Sequence, residues 1–184
     1  MTTEAYNKPN KVLFRRYSKT LEFIKNRNLD KKLSILDLGI ENPFTELLKK
    51  EGYKIYNTGE TDLDLAPEIV KGFNTNVTLA LEILEHLVSP FPLLKCLPGD
   101  KLVATVPLKL WFSSAYKNPV DKWDCHYHEF EDWQFDWLLE KSGWKIIHTE
   151  KWKSPVNSFG IRPFFRKITP RYYAVYAEKN LKVF

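Results

Sequence analysis

Between Val12 and Ile24 apolar side chains return every three or four residues, at Val12, Leu13, Tyr17, Leu21 and Ile24, while Arg15, Arg16 and Lys19 fill the other side. That spacing predicts an amphipathic helix packed on whatever follows. The period then changes. Leu33 to Leu38 is a largely apolar run closed by Asp37 and Gly39, the pattern of a buried parallel strand ending in a tight turn. Asn42-Pro43 predicts a capped helix start, and the helix runs through "FTELLKKEG" to Gly52. "YKIYNTG" reads as a second strand, "TDLDL" as a turn with a short strand, and "NVTLAL" as a central strand. "EILEHLVSP" is expected to turn into a helical segment, Phe91 to Leu97 to form a helix ending at Pro98-Gly99, and "KLVATVPL" another strand. After an irregular aromatic stretch from Lys109 to His128 come a helix, "EDWQFDWLLEKSG", and a strand, "WKIIHTEKWK". The basic segment "SPVNSFGIRPFFRKITP" reads as a non-helical loop before the strand "RYYAVYAEK". Repeated β-α-β alternation predicts a parallel sheet with helices on both faces, and the two closing strands an antiparallel hairpin at one edge.

Composition narrows the class. With 184 residues, 43% hydrophobic and 15% aromatic, the chain can bury one full core, and a single domain is expected. "VTLALEILEHLVSPFPLL" is interrupted by Glu82, Glu85 and His86, so no stretch reaches the roughly 20 apolar residues of a membrane span. "MTTEAYNKPNK" lacks the apolar core of a signal peptide. Cys96 and Cys125 stand far apart, which indicates neither a zinc cluster nor a disulfide framework, and a cytoplasmic location is expected. A net charge of +5 permits contact with nucleic acid or acidic lipid, yet Lys and Arg are spread over both ends, as on a solvated surface.

The chemistry starts at "SILDLGIENPF", residues 34 to 44, which opens like a nucleotide-binding turn but carries Glu41 and Pro43 where further glycines would stand. With "ILDLG", "NTGETDLDL", "LALEILEHL" and "HYHEFEDWQFDWLLEKSGWKI", the chain resembles the class I S-adenosylmethionine-dependent methyltransferases over Leu33 to Lys179. The resemblance implies a Rossmann-like, seven-stranded, mostly parallel α/β sheet with helices on both faces and an antiparallel last strand, trimmed around the second and third strands, because Asn57 to Val77 is short. Residues 33–179 would form this core and residues 1–30 an N-terminal helical lid. It further implies S-adenosylmethionine as cofactor. Asp37, Gly39, Glu41 and Glu82 would lie near its methionine end, and Glu60, Asp62 or Asp64 would accept from the ribose hydroxyls.

Glu82, Glu85 and His86 fall at helical spacing, so one turn at the strand end would bring them to one side. Generic members of the resembled family use Glu82 on the cofactor and His86 nearby. The small-RNA 2′-O-methyltransferases and some quinone-biosynthesis O-methyltransferases are similar here and hold Mg²⁺ with two Glu, this His and a further ligand, for which His128 or His126 is available. Mg²⁺ or Mn²⁺ would lower the pKa of an acceptor hydroxyl; the alternative is that the histidines cap and pack. His86, His126 and His128 are also general-base candidates. Trp111, Phe112, Tyr116, Trp123 and Tyr127 could sandwich an acceptor ring or could pack as core, and Arg162, Arg166, Lys167 and Arg171 could meet an anionic group or simply face water. The expectation is methyl transfer to oxygen or nitrogen of a small or medium acceptor bearing a hydroxyl or amine. The alternatives are a non-catalytic module of the same fold or an RNA 2′-O-methyltransferase. No residue pattern sets the oligomeric state.

Overall fold

The computed structural model describes residues 11–121, 124–154 and 160–180. Helix α1 (Lys11–Lys25) leads into strand β1 (Ser34–Asp37), helix α2 (Pro43–Lys50) and strand β2 (Lys54–Asn57). Strand β3 (Val77–Leu81), helix α3 (Pro90–Cys96) and strand β4 (Lys101–Pro107) follow, then helix α4 (Asp132–Lys141) and strand β5 (Trp144–Lys153). Helix α5 (Ile161–Ile168) and strand β6 (Pro170–Lys179) complete the described chain.

The sheet order is β2-β1-β3-β4-β6-β5. β1, β2, β3 and β4 run parallel, and β6 is antiparallel to both β4 and β5. The closing pair is therefore antiparallel as expected, with β6 inserted between β4 and β5. Its register on β4 runs from Lys101 opposite Glu178 to Pro107 opposite Tyr172.

Because strand side chains alternate, each face of the sheet builds its own core. On one face Leu36, Ala80, Leu102, Ala104 and Val175 meet Leu93 and Leu94 of α3 and Phe135 and Leu139 of α4. Buried Trp144 fastens that layer by donating its indole N–H to the Leu94 carbonyl at 3.0 Å. On the other face Ile35, Val77, Leu79 and Val103 meet Phe23 and Ile24 of α1 and Phe44 and Leu48 of α2. At the start of α2, Asn42 accepts from the Phe44 and Thr45 amides, and Pro43 occupies the first turn, where no N–H is needed.

Three expectations are corrected. The sheet has six strands among the described residues, not seven: between Asn57 and Val77 the chain makes a turn and a 3₁₀ segment, Pro67–Gly72. "TDLDL" forms no strand, because the Asp62 carboxylate accepts from the Asp64 and Leu65 amides and holds that backbone in a turn. The basic segment is not all loop. Its second half is α5, where Pro163 sits within the first turn, whose amides have no intrahelical partner.

Candidate functional site

At the carboxyl ends of β1, β3 and β4 the sheet opens on a cavity of about 580 Å³. β1 lies between β2 and β3, so strand order reverses there, and such a point leaves a crevice for a ligand. Leu13, Arg16, Tyr17 and Thr20 of α1 form one wall, Asp37 to Ile40 the floor, and Arg171 and Tyr172 of β6 the far rim.

Asp37 ends β1 buried at 2% exposure. Its carboxylate accepts from the Thr45 hydroxyl at 2.7 Å and from the Asn57 amide at 3.4 Å, so it ties β1 to α2 and β2. Burial outweighs those two hydrogen bonds and pushes its pKa up to about 6. Gly39 follows with φ of 95°, a conformation that side chains resist, and its amide donates to the Thr58 hydroxyl at 2.7 Å.

Glu82 follows β3 in the left-handed region, at φ 53°, where few residues other than glycine settle. There Glu82 lines the cavity. One carboxylate oxygen meets Arg16 Nη1 at 3.2 Å, and the other is buried with no partner among the described residues. The 3₁₀ turn Leu84–His86 follows at once, so Glu82, Glu85 and His86 all line the cavity, as the spacing predicted, though through a tighter turn than an α-helix.

Glu85 is buried, with Oε2 unpartnered among the described residues. Burial, and after it the Glu82 charge, raise its pKa well above its ordinary value. Its backbone carbonyl accepts from the Tyr127 and His128 amides and so pins the loop that carries His126. His86 Nδ1 lies 3.0 Å from the Cys125 carbonyl, an atom that only accepts; Nδ1 therefore holds the proton and Nε2 keeps its lone pair. Burial lowers the His86 pKa against that hydrogen bond, and neighbouring His126 lowers it further. His126 Nδ1 meets the Glu129 carboxylate at 2.9 Å, and its ring stands edge-on to His86 with centroids 5.0 Å apart. Burial pushes the Glu129 carboxyl up, but hydrogen bonds from His126 and the Tyr116 amide bring it below its ordinary value.

Glu85, His86 and His126 each offer a ligand atom, all within 4.8 Å of one another. The Glu85 carboxylate, whose Oε2 is orphaned, and two imidazoles oriented through Nδ1 form a donor set that fits a transition ion such as Mn²⁺ better than Mg²⁺.

Other expected site residues lie elsewhere. Glu41 is exposed, forms an ion pair with Lys49 and is absent from the cavity lining. His128 points its Nε2 at the Val88 carbonyl, 3.2 Å away, and stacks on Phe130. Both Asp64 oxygens accept from the Val88 and Ser89 amides. Asp62 and Asp64 nevertheless line a neighbouring cavity of about 380 Å³, which shares Gly39, Ile83 and His86 with the larger one. Glu60 is exposed and borders neither cavity. Of the aromatic candidates, Tyr116 lines the large cavity and Tyr127 the small one, whereas Trp111 and Phe112 pack on Phe165 of α5. Trp123 lies outside the described residues. Sequence reasoning did not single out Arg16, Thr105, Asp124 or Tyr172, which also line the large cavity. The signal for Arg16 was weak: one cation on the polar side of an amphipathic helix.

No protein-family model matches this chain, and no curated protein matches it in sequence. Solved structures do match in shape. A methyltransferase dependent on S-adenosylmethionine from Archaeoglobus fulgidus superposes with a TM-score of 0.57 at 17% identity, over 89% of this chain and 94% of the other. A chain of the Haloferax volcanii complex between the Trm112 methyltransferase activator and a methyltransferase gives 0.64 at 12% identity, over 95% and 94%. Magnesium protoporphyrin IX methyltransferase of Synechocystis PCC 6803, bound to S-adenosylhomocysteine, gives 0.54 at 13%, over 90% and 81%. The chain has the fold of these methyltransferases.

Proposed function

We propose that this protein transfers a methyl group from S-adenosylmethionine to an oxygen or nitrogen of a small or medium acceptor, with α1 as a lid over the cavity. One observation carries the reading. A partnerless carboxylate oxygen on Glu82, held by a left-handed backbone, sits beside a neutral His86 at the switch point of a methyltransferase fold.

When bound, the cofactor supplies an electrophilic methyl on a sulfonium, so no protein nucleophile is required. Glu82 offers its free oxygen to the cationic methionine end, while Gly39 allows close approach of the floor. Asp37 keeps that floor fixed through Thr45 and Asn57. The small cavity lined by Asp62, Asp64 and Leu63 accommodates the adenosine end, with Asp62 the better ribose acceptor because it takes its two backbone amides on Oδ1 alone, whereas both Asp64 oxygens accept from amides. His86 accepts the acceptor's proton at Nε2, Glu129 orients His126 beside it, and Tyr116 contributes an aromatic wall. Glu41, paired with Lys49 on the surface, and His128, bound to the Val88 carbonyl, take no part.

A second reading is favoured by the cluster of Glu85, His86 and His126: a divalent transition ion held by these residues would acidify an acceptor hydroxyl. Calorimetric titration with S-adenosylhomocysteine is expected to give saturable heat, and no heat at millimolar ligand would leave only a binding module of this fold. Thermal melts in EDTA and after adding Mn²⁺ decide the second reading; identical melts in wild type and Glu85→Ala would end it.

A further inference from the structure

Helix α5 turns its apolar side outward. Ile161, Phe164, Phe165 and Ile168 recur at helical spacing and share one arc, yet Ile161 is 78% exposed, Phe164 59% and Ile168 52%. A helix with a packed partner would bury that arc; α5 has no buried residue. Phe165 extends the apolar surface sideways. Its ring meets Trp111 with centroids 4.6 Å apart and Phe112 at 5.4 Å, and Trp111 is itself 69% exposed. Isolated surface apolar residues need no account, but a contiguous ridge of two isoleucines, three phenylalanines and a tryptophan does.

The charges on α5 say what the ridge faces. Arg162 and Arg166 flank one side of the apolar arc and Lys167 the other, and the helix carries no acidic residue. Such an arrangement suits a bilayer surface: apolar tips enter the acyl boundary while cations on both flanks reach lipid phosphates, and Trp favours the same interface. A net charge of +5 adds attraction to an anionic leaflet. No helix among the described residues is long and apolar enough to cross a membrane, so contact here would be peripheral.

We propose that the face formed by α5 and Trp111 docks reversibly on an anionic lipid surface. Arg171, three positions beyond Ile168, lines the large cavity, so docking sets the cavity rim beside the lipid. The inference stands apart from the proposed reaction, because vesicle binding needs neither cofactor nor turnover.

The test is flotation of the purified protein with phosphatidylcholine vesicles, with and without phosphatidylglycerol. Binding is expected to the anionic vesicles alone and to weaken in high salt. Phe164→Asp with Ile168→Asp, or Arg162→Glu with Arg166→Glu, should each lower it roughly tenfold or more. None of the four side chains is buried, Arg166 being half-buried and the others exposed, so circular dichroism and melting should match wild type. No flotation with anionic vesicles, or flotation that both double variants retain, overturns the proposal. So does light scattering that shows a dimer dispersed by Phe164→Asp without vesicle binding, which would assign the ridge to a second copy. RNA binding lost in Arg162→Glu with Arg166→Glu while vesicles stay unbound would overturn it in favour of nucleic acid.

Discussion

At Asp37 a carboxyl group is held where charge is unfavourable, and its effect has a definite sign. Its folded-state value of about 6 lies above the ordinary 3.8, so between these values the folded chain binds more protons than the unfolded one. The stability that Asp37 contributes is whole below the lower value and is lost as pH rises through the upper. Asp37→Asn keeps the shape and an acceptor for Thr45 without the titration. Urea unfolding across this window should show wild type losing up to about 3 kcal/mol relative to the variant as pH rises. Glu82 has the opposite role, because its charge is useful and its backbone is the strained part. Glu82→Gln is expected to weaken S-adenosylhomocysteine binding at least about tenfold by calorimetry while leaving the melting temperature little changed. Unchanged affinity would remove Glu82 from the proposed site.

Among the elements, the turn from α3 into β4 leaves little room for change at Gly99. Gly99 has φ of 72°, and a Cβ there would lie 2.4 Å from the Asn76 carbonyl oxygen, a backbone atom that cannot swing aside. Gly99→Ala is expected to cost on the order of 3 kcal/mol in chemical denaturation, and a loss below about 1 kcal/mol would show that β4 can slide relative to β3. Pro98-Gly99 was legible as a stop signal because turn chemistry is local. So were β1, β3, β4 and β5, whose apolar runs register burial directly, and α2, whose cap is spelled by Asn42-Pro43. What could not be read depended on distant partners. Nothing near Asp64 foretells that its oxygens are taken by Val88 and Ser89, or near His126 that it, rather than His128, reaches His86. α5 was hidden by Pro163, which signals a break in mid-helix and is harmless in a first turn. Arg16 needed the fold itself, since only the packing of α1 across the sheet brings it 66 positions along the chain to Glu82.

Over the whole molecule, the insertion of β6 between β4 and β5 governs the order in which the sheet can close. β4 and β5 do not touch each other as strands, and each pairs instead with a segment that follows both. As the chain leaves the ribosome, β1 to β4 can assemble while β5 waits with its ladder groups open. Synthesis of Pro170–Lys179 then supplies both missing pairings together. Arrested nascent chains should therefore stay protease-sensitive around Trp144–Lys153 until Lys179 has cleared the exit tunnel, then become resistant in one step; protection appearing before β6 emerges would contradict this order. A cell making this protein thus carries, until β6 has left the ribosome, a four-stranded partial sheet with an exposed edge, the kind of intermediate that chaperones capture.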